Sequence, residues 1–161
     1  MDRVCNAVRV MLWDRGHDDV TVLPYTKIPG SKMVCGDRWR CVVIPQKRVG
    51  VKIARLAHID GINEIVAHSV TAMAARSMSS SGIHLVPASI LENDVVNHPL
   101  VPKHINEGPG GDLQYPTILL TDPVCVYYNF SVGDVIATIR PGSNGDFTYR
   151  RRVVPTRVRD E

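Results

Sequence analysis

TDPVCVYYNFSVGDVIATIRPGSNGDFTYRRRV, residues 121–153, carries the signals that decide how this chain folds. Asp122 before Pro123 marks a helix start. The carboxylate can accept the free N–H groups of a first turn, and proline suits the first helical position because it has no N–H to leave unpaired. A short helix over Val124–Tyr128 should follow. Asn129, which tolerates the left-handed conformation of a helix end, should close it. The β-branched and aromatic residues Val124, Val126, Tyr127 and Tyr128 pull toward strand, but the cap and the proline agree with each other. Gly133-Asp134 then turns the chain into an apolar strand, Val135–Arg140. Residues 141–146 (PGSNGD) are dense in turn formers, and Phe147–Val153 returns as a second strand. Helix, turn and β-hairpin form one unit.

Outward from that unit, Gly108-Pro109-Gly110-Gly111 cannot hold a helix, so residues 105–115 read as a short loop. Glu92-Asn93-Asp94 and Asn97-His98-Pro99 mark a domain boundary. From the amino terminus, Val4, Ala7, Val8, Met11 and Leu12 recur at helical spacing, predicting an amphipathic helix that ends near Gly16. Residues 18–38 contain Pro24, Pro29, Gly30 and Gly36 and read mostly as loop, with a short strand at Val20–Leu23. Trp39–Ile44 reads as a buried strand, Val51 to about His58 as a helix, Ile62–Ala67 as a strand and Val70–Met78 as a helix. Ser77–Gly82 looks flexible, and Ile83–Leu91 resumes an apolar pattern that completes the sheet. Strand and helix in alternation imply an α/β layer, a small sheet covered by helices. The predicted architecture is an α/β domain over residues 1–97, a small α+β domain with a β-hairpin over 98–153, and a tail over 154–161.

Composition sets broad bounds. The chain has 161 residues, 44% hydrophobic and 22% charged, which is ordinary globular usage and argues against wholesale disorder. A formal charge of +3 permits contact with nucleic acid without requiring it. Arg140, Arg150, Arg151, Arg152, Arg157 and Arg159 cluster at the carboxy terminus, where arginine suits bidentate pairing with carboxylate or phosphate, or simply a solvated strand face. No apolar run approaches the ~20 residues that cross a bilayer. Cys5, Cys35, Cys41 and Cys125 lie too irregularly for a disulfide framework and, with no export signal, read as reduced intracellular thiols.

Leu100-Val101-Pro102-Lys103-His104, Asp122-Pro123-Val124, Gly133-Asp134-Val135, Ile139-Arg140-Pro141, Gly145 and Thr148-Tyr149-Arg150 occur in a particular order and at a particular spacing. In both, the chain resembles the fifth common subunit of eukaryotic nuclear RNA polymerases and its similar, smaller archaeal counterpart. The resemblance covers most of residues 98–153 and is fainter before them. Asp14-Arg15-Gly16-His17 stands where the family has Asp-Arg-Gly and an aromatic ring, which makes His17 a packing or surface residue. Val49-Gly50-Val51-Lys52 matches a signature that precedes a helix. The segment over 18–38 is shorter than in the family, and the loop over 105–115 replaces a longer helical one.

The resemblance implies a jaw-like first domain and an assembly domain that docks on the largest polymerase subunit. The docking set it carries over is Leu100, Val101, Pro102, Lys103, His104, Asp122, Pro123, Val124, Ile139, Arg140, Pro141, Thr148, Tyr149 and Arg150. The family's Thr-Pro-Ser-Ala motif near downstream DNA falls on Val70-Thr71-Ala72-Met73-Ala74, where Thr71 is kept and the proline and serine are gone. Ser69, Thr71 and Arg76 are the residues this places near DNA, since a helix start attracts a phosphate; a plain helix cap is the competing reading. The implied setting is the nucleus or nucleolus, or a cytoplasmic factory for a virus-encoded enzyme. A freestanding nucleic-acid-binding protein using the carboxy-terminal arginines is the alternative function, and a small α/β hydrolase a third.

Chemistry is sparse in the sequence. The glycine-rich stretch at 108–111 lacks the lysine and helix of a phosphate loop. Cys35 and Cys41, like His98 and His104, are spaced too widely for a usual zinc pair. Ser79–Ser81 lack a nucleophile elbow. No catalytic residue, metal site, cofactor or small-molecule substrate is expected. A hairpin turns alternate residues to opposite faces, so the apolar set from Val124 to Tyr149 cannot all enter one small core, and part of it should meet a partner.

Overall fold

The computed structural model describes residues 2–111 and 113–155, which hold five helices and two small sheets in a mixed α/β arrangement. The chain divides between Asn97 and His98 into two units. The first opens with α1 (Asp2–Asp14), whose Cys5, Val8, Met11 and Leu12 are buried at three- and four-residue spacing. Its end is fixed by the backbone. Gly16 takes φ +95°, its N–H bonds the carbonyl of Trp13, and the His17 N–H bonds that of Leu12. This left-handed closure satisfies carbonyls the helix would otherwise leave open, and glycine adopts it without steric cost.

Residues 18–38 are not mostly loop. They form a hairpin, β1 (Thr21–Tyr25) and β2 (Ser31–Gly36), which continues antiparallel into β3 (Trp39–Val43). The prolines that argue for loop are accommodated by position: Pro24 sits in an edge strand and Pro29 in the turn between strands. From β3 the chain crosses through α2 (Val51–Ile59) to β4 (Glu64–Ala67), and through α3 (Ala72–Ser80) to β5 (His84–Pro87). β3, β4 and β5 are parallel, giving a five-stranded sheet in the order β1-β2-β3-β4-β5. Helices α2 and α3 pack on each other, and their Ala54, Ala57, Ala74 and Met78 join Val42, Ile44, Ile65 and Ala67 in a core. The serine-rich stretch at 77–82 is therefore no flexible link: α3 runs through Ser80, held by buried Met78. The apolar run over 83–91 is strand only to Pro87, and α4 (Ala88–Glu92) follows and packs on α1.

The opposite sheet face holds a buried charge. Glu64 is fully buried in β4 and accepts from Arg15 through both oxygens, at 2.9 and 2.8 Å. The Trp39 indole N–H donates to it at 3.0 Å, and His84 Nε2 lies 3.6 Å away. Register explains the convergence: Cys41 and His84 are the direct neighbours of Glu64 on β3 and β5, and Trp39 lies two residues from Cys41 on the same face. Burial, then Glu64, pushes the Cys41 thiol well above its ordinary value.

The second unit is a four-stranded sheet in the order β6-β8-β9-β7. Its strands are β6 (His104–Pro109), β7 (Thr117–Leu119), β8 (Asp134–Arg140) and β9 (Phe147–Val154). β6 corrects the predicted loop over 105–115. Gly108 (φ +80°) and Pro109 fit because β6 is an edge strand with a register shift between Asn106 and Pro109. The expected helix is α5 (Pro123–Tyr128), with Val124 N–H donating to Asp122 at 2.9 Å and Asn129 left-handed at φ 55°. Val154 belongs to β9 and pairs with Leu119, so it is not part of a tail. Residues 156–161, with Arg157 and Arg159, lie outside the described residues.

Removing one partner of the Arg15–Glu64 pair leaves a buried charge uncompensated. Arg15→Met should therefore cost about 3–5 kcal/mol in urea unfolding, and Arg15→Met combined with Glu64→Leu should recover most of that loss. Equal destabilisation by the single and the double variant would contradict the assignment.

Candidate functional site

Strand β8 decides the surfaces of the second unit because it is central. Its register with β9 sets Val135 opposite Arg152, Ala137 opposite Arg150 and Ile139 opposite Thr148 on one face. The other face carries Ile136 opposite Arg151, Thr138 opposite Tyr149 and Arg140 opposite Phe147. On β6, Ile105 lies beside Ala137, on the first face.

One end of the first face is covered. A Cβ on Gly110 would fall 2.3 Å from the Val135 side chain and 2.9 Å from Arg152, so only glycine allows the chain to lie this close. Arg152 clamps the crossing segment, donating to the carbonyls of Gly111 at 2.7 Å and Leu113 at 3.0 Å. The other end is open. A groove of about 200 Å3 is lined there by Lys103, Ile105, Glu107, Ala137, Ile139, Thr148 and Arg150. Ile105 is 65% and Ile139 53% exposed, apolar side chains that the unit leaves in water. Arg150 is held on the groove wall by Glu107 at 2.6 Å. Its guanidinium pKa is raised, first by that hydrogen bond.

On the second face, Tyr127, Tyr128 and Phe130 are buried, with Tyr128 stacked on Phe130 and edge-on to Tyr127. The Tyr128 hydroxyl accepts from the His104 N–H at 3.3 Å, and the two rings lie 5.8 Å apart. Beyond them, Arg140 sits over the Tyr149 ring at 4.1 Å and Arg151 at 5.7 Å.

The residues carried over from the family therefore do not form one patch. Lys103, Ile139, Thr148 and Arg150 meet in the groove, whereas Arg140 and Tyr149 lie on the other face. His104 packs on Tyr128, and Asp122, Pro123 and Val124 build the start of α5. Leu100, at 86%, is the most exposed large apolar residue described; Val101 is half-buried, and Pro102 and Pro141 are exposed. Ile105, Glu107, Ala137 and Thr138 also line the groove, unforeseen. The first two fall in a stretch whose glycines and proline read as loop, and Ala137 carries no chemical signal of its own.

In the first unit, Thr71 caps α3, accepting from the Ala74 N–H at 3.1 Å, and the Ser69 hydroxyl donates to the carbonyl of Lys47 at 2.9 Å. Arg76 is exposed. The starts of α2 and α3 are tied by the bridge between Val49 and Val70, and the depression beside them is lined by Val51, Lys52, Ile53, Thr71 and Met73. This surface is more apolar than a phosphate site needs. His17, expected to be a packing or surface residue, is half-buried, its ring against Gly36 and 6.2 Å from that of Trp39. All four cysteines are free thiols. Among the described residues, no three His, Cys, Asp or Glu side chains gather as a metal site, and no helix is long and apolar enough to cross a membrane.

Burial, then the charge of Arg151, holds the His104 imidazole below its ordinary value of 6.5. The unfolded chain therefore takes up a proton before the folded one does, so stability falls as pH drops below 6.5 toward the folded value. Urea unfolding of the native chain should show this loss relative to His104→Gln, and the ring should titrate below 6.5 by NMR. A parallel pH dependence of the two proteins would contradict it. No family model and no curated protein matches the chain.

Proposed function

We propose that this chain is a non-catalytic structural subunit of a multisubunit DNA-directed RNA polymerase. Its second unit is an assembly domain that docks on the largest subunit. Its first is a jaw-like α/β domain that contributes to the lower jaw near downstream duplex DNA. The observation that carries the assembly role is the open groove floored by Ile105, Ala137 and Ile139. Lys103, Ile139, Thr148 and Arg150, all within the resemblance to the polymerase family, converge on it. An apolar floor with polar walls is the usual anatomy of a surface that is buried on association.

Support for the jaw role is narrower. Thr71 uses an oxygen lone pair in capping, but its hydroxyl hydrogen is still able to donate to a backbone phosphate, with Ser69 and Arg76 nearby in sequence. In this role the protein supplies surface and positioning, and nucleotide transfer belongs to other subunits. The expected setting is the nucleus, or the cytoplasmic factory of a virus that encodes its own polymerase.

A tagged chain carrying Ile105→Glu and Ile139→Glu should remain folded, because both side chains are exposed, yet recover at least about tenfold less polymerase in affinity purification. Met73→Glu with Arg76→Glu, on the first unit, should leave recovery unchanged. Undiminished recovery with the groove variant, or no polymerase subunits with the native chain, would overturn the proposal.

A further inference from the structure

The second face of the β8–β9 hairpin has a feature that docking through the groove does not use. Arg140, Phe147, Tyr149 and Arg151 share that face, because Arg140 stands opposite Phe147 and strand residues two apart point the same way. Phe147 is 48% exposed, a ring in water at the tip of a hairpin. Its position is set by the turn. Gly142 and Gly145 exchange backbone hydrogen bonds, and a Cβ on Gly142 would meet the Phe147 ring at 3.1 Å. The ring thus rests on bare backbone. Beside it, Arg140 is exposed and its guanidinium lies over Tyr149 at 4.1 Å, and a guanidinium can stack on aromatic rings.

The arginines of the two faces differ in their partners. Arg150 and Arg152, which point the other way, are held by Glu107 and by the carbonyls of Gly111 and Leu113. Among the described residues neither Arg140 nor Arg151 has a carboxylate at ion-pair distance; the acid nearest to Arg151 on this face by register is Asp134, whose carboxylate already accepts from Asn106 and from the Ser131 N–H. Two guanidinium groups with no carboxylate partner among the described residues, beside two rings, attract a polyanion that also carries flat aromatic groups.

We propose that the Arg140–Phe147–Tyr149–Arg151 face binds single-stranded nucleic acid. One base stacks on Phe147 and a neighbouring base on the Arg140–Tyr149 pair, while Arg151 contacts the backbone phosphate. Phe147 and Tyr149 are two strand residues apart, about 7 Å, so the two bases are splayed. A duplex keeps its base faces stacked inside and offers this surface only phosphates. An acidic protein segment satisfies the arginines but leaves the exposed ring without a stacking partner. Single strands of any sequence are the fitting class, because every base has a π-face.

The test is fluorescence anisotropy of the full chain with a labelled oligothymidylate, the same length of duplex DNA, and polyglutamate as competitor. The oligothymidylate should bind at least about tenfold tighter than the duplex, and polyglutamate of equal charge should compete poorly. Phe147→Ala should weaken binding by about tenfold, and Tyr149→Ala by a similar factor, with Tyr149→Phe restoring it. Arg151→Ala should reduce the slope of log affinity against log salt by about one. Arg55→Ala, an exposed cation of the first unit, should change nothing.

Circular dichroism identifies any variant that fails to fold, and exposed Phe147 keeps the test alive if Tyr149→Ala does. Absence of binding, equal binding of duplex, equal competition by polyglutamate, or indifference to Phe147→Ala each overturns the proposal. It does not rest on the polymerase role: a native chain that recovers polymerase but does not bind the oligonucleotide sinks this inference alone, and one that binds the oligonucleotide but recovers no polymerase sinks only the other.

Discussion

A fully buried carboxylate needs hydrogen-bond donors at close range, and the first unit is arranged to supply them to Glu64. The arrangement starts in the sequence around Gly16. The left-handed closure of α1 stops the helix at Asp14 and turns Arg15 toward the sheet, where it reaches both Glu64 oxygens. The parallel register of β3, β4 and β5 brings His84 beside the same carboxylate, and Trp39 reaches it from two residues along β3. Apolar burial alone would let α1 slide along the sheet, since hydrophobic contact is non-directional. A bidentate pair with a third donor fixes both distance and angle.

The second unit solves a different problem. About 55 residues cannot enclose a large core, yet β8 is buried from Asp134 to Thr138. Aromatic residues from α5 and its exit cover one side, and the segment at Gly110 covers part of the other. Neither cover extends to the turn end of the hairpin. Exposed Ile139 and Phe147 are what remains when a small unit runs out of chain, and the two faces they occupy differ in kind. One is an apolar groove on whose wall Arg150 is paired with Glu107; the other sets Arg140 and Arg151, with no carboxylate at ion-pair distance among the described residues, beside a ring.

What could be read beforehand follows from how local each signal is. The cap at Asp122, Pro123 at the first helical position and left-handed Asn129 all act within one turn, and α5 is where they put it. The periodicity of α1 and the apolar runs of β3 and β4 are equally local. The hairpin over β1 and β2 and the edge strand β6 were hidden because prolines and glycines that usually end a strand are tolerated on an edge, and edge position is a property of the whole sheet. The groove was only partly legible for the same reason. Ile105 and Ala137 become neighbours through register, and the residues carried over as one surface turn out to alternate between two.

Proline recurs at the sheet borders: Pro24 in β1, Pro87 at the end of β5 and Pro109 at the end of β6. A proline has no amide hydrogen to offer an incoming strand, so borders carrying one resist lateral growth by a stranger's backbone. Such a chain can keep sticky side chains in the open without polymerising through its margins, which channels recognition onto the flats of the sheet, where shape and chemistry discriminate better than bare peptide groups do.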